Sequence, residues 1–146
     1  MKQIAFLLLV TSFLLVSLGE VSFAQVPIRL RMIQASNEGA IIDPSLRDVH
    51  HELGSLFNFS SYRSLKNETL NLFPNQPVEV FVHRGRVIEI TLVGQRRDMA
   101  KLRVRVQRDG VETLDTQVRL ISGRTILIGG PQHARGVIII ALSALF

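Results

Sequence analysis

The chain has 146 residues, a formal net charge of +5 with its histidines neutral, and no cysteine. That length excludes a multidomain enzyme, and the missing cysteine excludes disulfide scaffolds, thiol catalysis and thiolate metal sites. With 47% hydrophobic and 20% charged residues the chain has enough apolar surface for one domain with a single core.

Residues 1–24 read as an export signal. Lys2 supplies the positive start, Ile4 to Leu18 the apolar stretch, and Ser22 and Ala24 the small residues a signal peptidase reads. Cleavage is expected between Ala24 and Gln25. The apolar stretch approaches the ~17 to 18 residues that begin to span a bilayer, but Glu20 and the small-residue site argue for removal over an uncleaved anchor. No cysteine follows it, so a lipoprotein anchor is excluded. The remainder, 25–146, is expected to be one β-rich domain, periplasmic or secreted. An exported domain without disulfides must hold together by burial and hydrogen bonding, which favours a bacterial cell envelope.

Along that remainder, Ile28, Leu30 and Met32 alternate with Arg29 and Arg31, the period-two pattern of a strand. Asp43-Pro44 is an N-cap followed by the residue best suited to the first helical turn. Leu46, Val49, Leu53 and Leu56 form one apolar stripe, predicting a helix that ends between Gly54 and Phe57. Ser60 to Leu65 and Thr69 to Phe73 read as two short strands joined at Lys66-Asn67-Glu68. Pro74 to Pro77 reads as a turn, followed by strands over Val78–Val82 and Val87–Val93. Gly94 to Ala100 is polar enough for a loop. Leu102, Val104 and Val106 then alternate with Arg103 and Arg105, and Asp109-Gly110 marks a tight type I′ hairpin. The return strand carries Leu114, Thr116, Val118 and Leu120 on one face and Asp115, Gln117 and Arg119 on the other, an arrangement that allows charged cross-strand pairs on the outer face. Thr125–Ile128 and Val137–Leu142 are apolar on both faces and read as central strands. The pattern predicts a mainly β single domain: an antiparallel β-sandwich or partly open barrel with one N-terminal helix packed on the sheet.

Catalytic motifs are wanting. His50 and His51 project about 100° apart on a helix and cannot share a metal unaided. His51-Glu52-Leu53-Gly54-Ser55 begins like a zinc-protease helix but has Ser55 where the second histidine belongs. No Gly-x-Ser-x-Gly elbow exists, so neither catalytic nor metal-binding residues are assigned and no cofactor is expected. His83 and His133 would serve a hydrolase only if the fold brought a carboxylate to them.

Two features point to binding. The run Gly129-Gly130-Pro131-Gln132-His133-Ala134-Arg135-Gly136 reads as a loop whose amides, beside His133 and Arg135, are placed to hold an anion. Arg103 and Arg105 share one strand face, with Arg96, Arg97, Lys101 and Arg108 in flanking turns. Nucleic acid is disfavoured because no aromatic platform interleaves these cations. The expectation is an exported, basic, non-catalytic binding or assembly module for an anionic envelope polymer or an envelope protein, with contact to a membrane surface also compatible. Its ligand-binding residues would be Arg103, Arg105, Gly129, Gly130, His133 and Arg135. The hydrophobic ending at Phe146 makes a small outer-membrane β-barrel the alternative, although aromatics are few and the strands short for one.

Overall fold

A computed structural model describes residues 25–82, 85–133 and 135–146. The export segment, its cleavage site before Gln25, and His83 lie outside the described residues. In chain order the elements are β1 (Val26–Ser36), a 3-10 turn (Pro44–Leu46), α1 (His50–Phe57), β2 (Ser61–Leu72), β3 (Val78–Val82), β4 (Arg86–Arg96), β5 (Met99–Arg108), β6 (Val111–Ile121), β7 (Thr125–His133) and β8 (Gly136–Ala144). They build two antiparallel four-stranded sheets. One has the order β2-β1-β8-β7, the other β3-β4-β5-β6.

The alternation read in the sequence decides what the sheets bury. Ile28, Leu30 and Met32 of β1 and Ile138, Ile140 and Leu142 of β8 share a core with Ile88, Ile90 and Leu92 of β4 and Leu102, Val104 and Val106 of β5. Each such side chain removed from water is worth about 1.5–3 kcal/mol before the cost of ordering it. This is a sandwich-like plan with an apolar interior. Ile139 and Ala141 of β8, with Ile33 and Ala35 of β1, point the other way, where Leu46, Val49 and Leu53 cover them. Strand β8 is thus apolar on both faces because both are covered.

Asp43 does cap: its carboxylate accepts from the Ser45 amide at 2.9 Å. The helix it opens is interrupted, however, giving a 3-10 turn and then only eight residues of α1, which ends at Asn58 in the left-handed region. Leu56 is exposed, and Phe57 packs against the sheet in its place. The two short strands expected around Lys66-Asn67-Glu68 are one strand, β2. Its polar middle stays extended because Lys66 pairs with Glu68 at 3.3 Å and Asn67 accepts from Arg29 Nε at 2.9 Å. The residues near Thr125–Ile128 belong to an edge strand, β7, not a central one.

Two expected loops are mostly strand. Gly129 to His133 lie in β7, so the turn to β8 is short. Gly94 to Ala100 also folds into the sheet: β4 runs on to Arg96 and β5 begins at Met99, leaving Arg97-Asp98 as the turn. A bulge between Leu92 and Gly94 lets the polar residues continue the ladder. At the next hairpin Asp109 and Gly110 both have positive φ, 52° and 78°, as a type I′ turn requires.

Candidate anion-binding cleft

Strands β4, β5 and β6 present one face to the core and the other to solvent, and the outer face carries the charges. Arg103 donates twice to Asp115, Nε to Oδ1 at 2.9 Å and Nη2 to Oδ2 at 2.7 Å. Arg105 lies between Glu112, at 3.0 Å from Nη2, and Glu89, at 3.5 Å from Nη1. Both side chains therefore share the outer face, and both are already held by carboxylates. The Arg103 hydrogen bonds hold the Asp115 carboxyl below the ordinary aspartate range.

Farther along the same face the carboxylates stop. The register pairs Gly94 with Lys101 and Lys101 with Arg119, and in the next row Arg96 with Met99 and Met99 with Ile121. Gly94, Gln95, Arg96, Met99, Lys101 and Arg119 line a cleft of about 290 Å³. Among the described residues Arg96, Lys101 and Arg119 form no ion pair. A Cβ at Gly94 would lie 3.4 Å from Lys101 Cβ, in ordinary contact, so a longer side chain at this lining position would crowd the Lys101 stem. Around one concavity the three cations offer two forked guanidinium groups and one ammonium, the chemistry that suits a carboxylate or phosphate.

A second cleft, about 350 Å³, lies between the helical segment and β7, lined by Asp48, Val49, Glu52, Arg124, Thr125 and Leu127. It carries two carboxylates and one guanidinium, and Asp48 is taken up by Arg31. Beside it Arg31, 1% exposed, donates to Asp48 at 2.8 Å and reaches Ser143 Oγ at 3.4 Å, while Ser143 and Thr125 hydroxyls meet at 2.7 Å. Arg31 lowers the Asp48 pKa, chiefly through that hydrogen bond. This network fastens the helical segment to the sheet.

The glycine-rich segment has a packing role. Gly129 lies under Phe57, whose Cε1 would be 3.2 Å from an added Cβ; at Gly130 the Ile138 carbonyl oxygen would be 2.7 Å away, and at Gly136 a Cβ would overlap the Ala35 carbonyl. None of the three has positive φ. Arg135 is exposed and pairs with Glu38 at 2.9 Å. His133 pairs through its backbone with Gly136, and its side chain lies outside the described residues. The structure thus keeps Arg103 with Arg105 and places Gly129 and Gly130 in β7 of the other sheet, with Arg135 in the turn to β8.

Arg119 enters the sequence reading only as an outer-face residue of the return strand, and Arg96 and Lys101 only as neighbours of Arg103. The signal that finds Arg119 is the Asp109-Gly110 turn, which sets the strand register. One bulge beyond Val106 then brings Lys101 opposite Arg119. Among the described residues no group of three or more His, Asp or Glu side chains is placed to hold a metal ion, and no helix is long and apolar enough to cross a membrane. No family model matches the chain, and no curated protein or solved structure matches it either.

Proposed function

We propose that the chain beyond Ala24 is an exported, non-catalytic binding module of a bacterial envelope, periplasmic or secreted, that takes an anionic ligand at the cleft of Arg96, Lys101 and Arg119. One observation carries this reading: these three cations converge without a carboxylate, although Arg103 and Arg105 on the adjoining part of the same face are held by Asp115, Glu112 and Glu89. Arg103 and Arg105 would frame the site and not fill it, because an incoming anion would have to displace Asp115 and Glu112. An apolar interior with Glu89, Arg103 and Asp115 outside favours this reading over a lipid-embedded barrel, which needs the opposite arrangement.

The test is calorimetric titration with inorganic pyrophosphate at low ionic strength. Replacing Lys101 and Arg119 together with glutamine should abolish binding, and R103Q with D115N should leave it in place. Undiminished binding in the Lys101/Arg119 variant would overturn the assignment. Export is tested by the N-terminus of the protein recovered from the envelope, expected at Gln25.

A further inference from the structure

We infer that the cleft binds the phosphate of an anionic lipid, so that this end of the sandwich docks on a membrane surface. The inference rests on the anion-binding reading above and adds the source of the anion. Its ground is what surrounds the cations. Ile121, 47% exposed, stands in register with Met99 at the cleft edge, and Val93, 36% exposed, is the residue bulged out of β4 immediately before Gly94.

The rest of this end is continuous with the cleft. The Ser122 amide donates to the Asp98 carbonyl, which ties the β6–β7 turn to the turn bearing Arg97. The Ser122 hydroxyl donates to the Phe146 carbonyl oxygen, which brings the chain end alongside, with Leu145 47% exposed. Cations and exposed aliphatic side chains therefore share one tip of the molecule.

A dissolved anion gains nothing from Ile121, Val93 or Leu145. A lipid headgroup does, because its phosphate meets Arg96, Lys101 and Arg119 while the interface beneath accepts aliphatic side chains. A glycan would be served by aromatic rings, and none lines the cleft. The cleft is also set on a sheet end and not along a groove with repeated subsites, which suits a surface better than a threaded polymer.

The experiment is co-sedimentation of the protein, purified from the envelope of an exporting cell, with vesicles of phosphatidylglycerol or phosphatidylcholine, alongside pyrophosphate and polyphosphate titrations. Binding to phosphatidylglycerol and not to phosphatidylcholine vesicles is expected, lost in high salt, together with pyrophosphate binding. K101Q with R119Q should weaken it by about tenfold or more, at roughly the contribution of two basic residues near an anionic surface. Ile121→Ser should weaken vesicle binding several-fold and leave pyrophosphate binding unchanged. Gly94→Met, which fills the cleft without altering charge, should impair both.

The outcomes separate the two readings. Pyrophosphate or polyphosphate binding without vesicle binding would overturn the lipid inference and spare the anion site. Absence of binding to every anion would remove both. Vesicle binding insensitive to Ile121→Ser and to the Lys101/Arg119 change would place the membrane contact elsewhere and overturn this inference. Retained folding of each variant is read from its thermal transition.

Discussion

Lys101 on β5 and Arg119 on β6 lie directly opposite each other in the antiparallel register, two like charges with no carboxylate between them. Opposed like charges destabilise a sheet, and opposed unlike charges stabilise it, by roughly 0.2–1 kcal/mol. The arrangement costs the free protein stability, which an anion bound at the proposed site would return. K101E should therefore raise the melting temperature, by about 1 to 5 °C, while abolishing anion binding. Added sodium chloride should stabilise the wild type more than the variant, since screening relieves only the repulsive pair. A lower melting temperature in K101E would mean that Lys101 is held by interactions other than those with Arg119.

Acid should weaken the fold through a short set of carboxylates. The Ser45 amide and hydroxyl depress the pKa of Asp43, Arg31 that of Asp48, and Arg103 that of Asp115, each below the ordinary value of 3.8. A carboxyl more acidic in the folded state than in the unfolded one gives stability that is present above the unfolded pKa. That contribution is lost as pH falls through the folded value. Urea midpoints should accordingly be flat from neutrality to mild acid and drop below about pH 4. D43N and D115N should each flatten the acid limb. An acid limb of unchanged steepness in the double variant would assign the loss to other groups.

The strands and their inner faces were legible because one-sided burial writes itself as alternation: Leu102, Val104 and Val106 are all in the core, and the Asp109-Gly110 turn has the geometry its residues demand. Charge pairing was not legible in the same way. Arg103 and Arg105 read as a basic face with cross-strand charge pairs open to it, yet which carboxylate each meets, Asp115, Glu112 or Glu89, depends on register across two strand boundaries. The cleft was hidden further by a bulge. Polar residues from Gly94 to Ala100 look like a loop, and only the extra residue at Val93 keeps them in the ladder and brings Arg96 beside Met99. Arg31 reads as part of the polar face of β1, while the helical segment in fact buries it.

That buried arginine sets up a third prediction. Arg31 is 1% exposed, and its carboxylate partner Asp48 keeps 56% of its side chain in water. D48A would leave a desolvated guanidinium without its counter-charge, at a cost of about 1 to 3 kcal/mol, less than for a fully buried pair because water reaches Asp48. Exchanging Arg31 for methionine in the same background removes the stranded charge and fills similar volume. R31M with D48A should therefore be more stable than D48A alone, measured by urea denaturation. If the double variant were the less stable, Arg31 would be contributing through its packing or its contact with Ser143 and not chiefly through the ion pair.

The last glycine of the segment Gly129 to Gly136 tests its packing role. Gly136 pairs with Ser36 at the start of β8, where the β1 backbone comes so close that a Cβ would overlap the Ala35 carbonyl oxygen. Its φ is not positive, so alanine meets no conformational obstacle of its own and the cost is steric. G136A has to push β8 away from β1 between the two sheet faces they both bury, and should destabilise by about 1–3 kcal/mol, with faster hydrogen exchange at the Ala35 and Ser36 amides. Gly123 is the control. Its φ is 71° and nothing lies within 4 Å of an added Cβ, so G123A carries only the left-handed backbone penalty, about 1 kcal/mol, with no effect on β1 exchange. Exchange rates at Ala35 that stay unchanged in G136A would show that this strand pair yields without cost, and the glycine would then have no packing reason to be there.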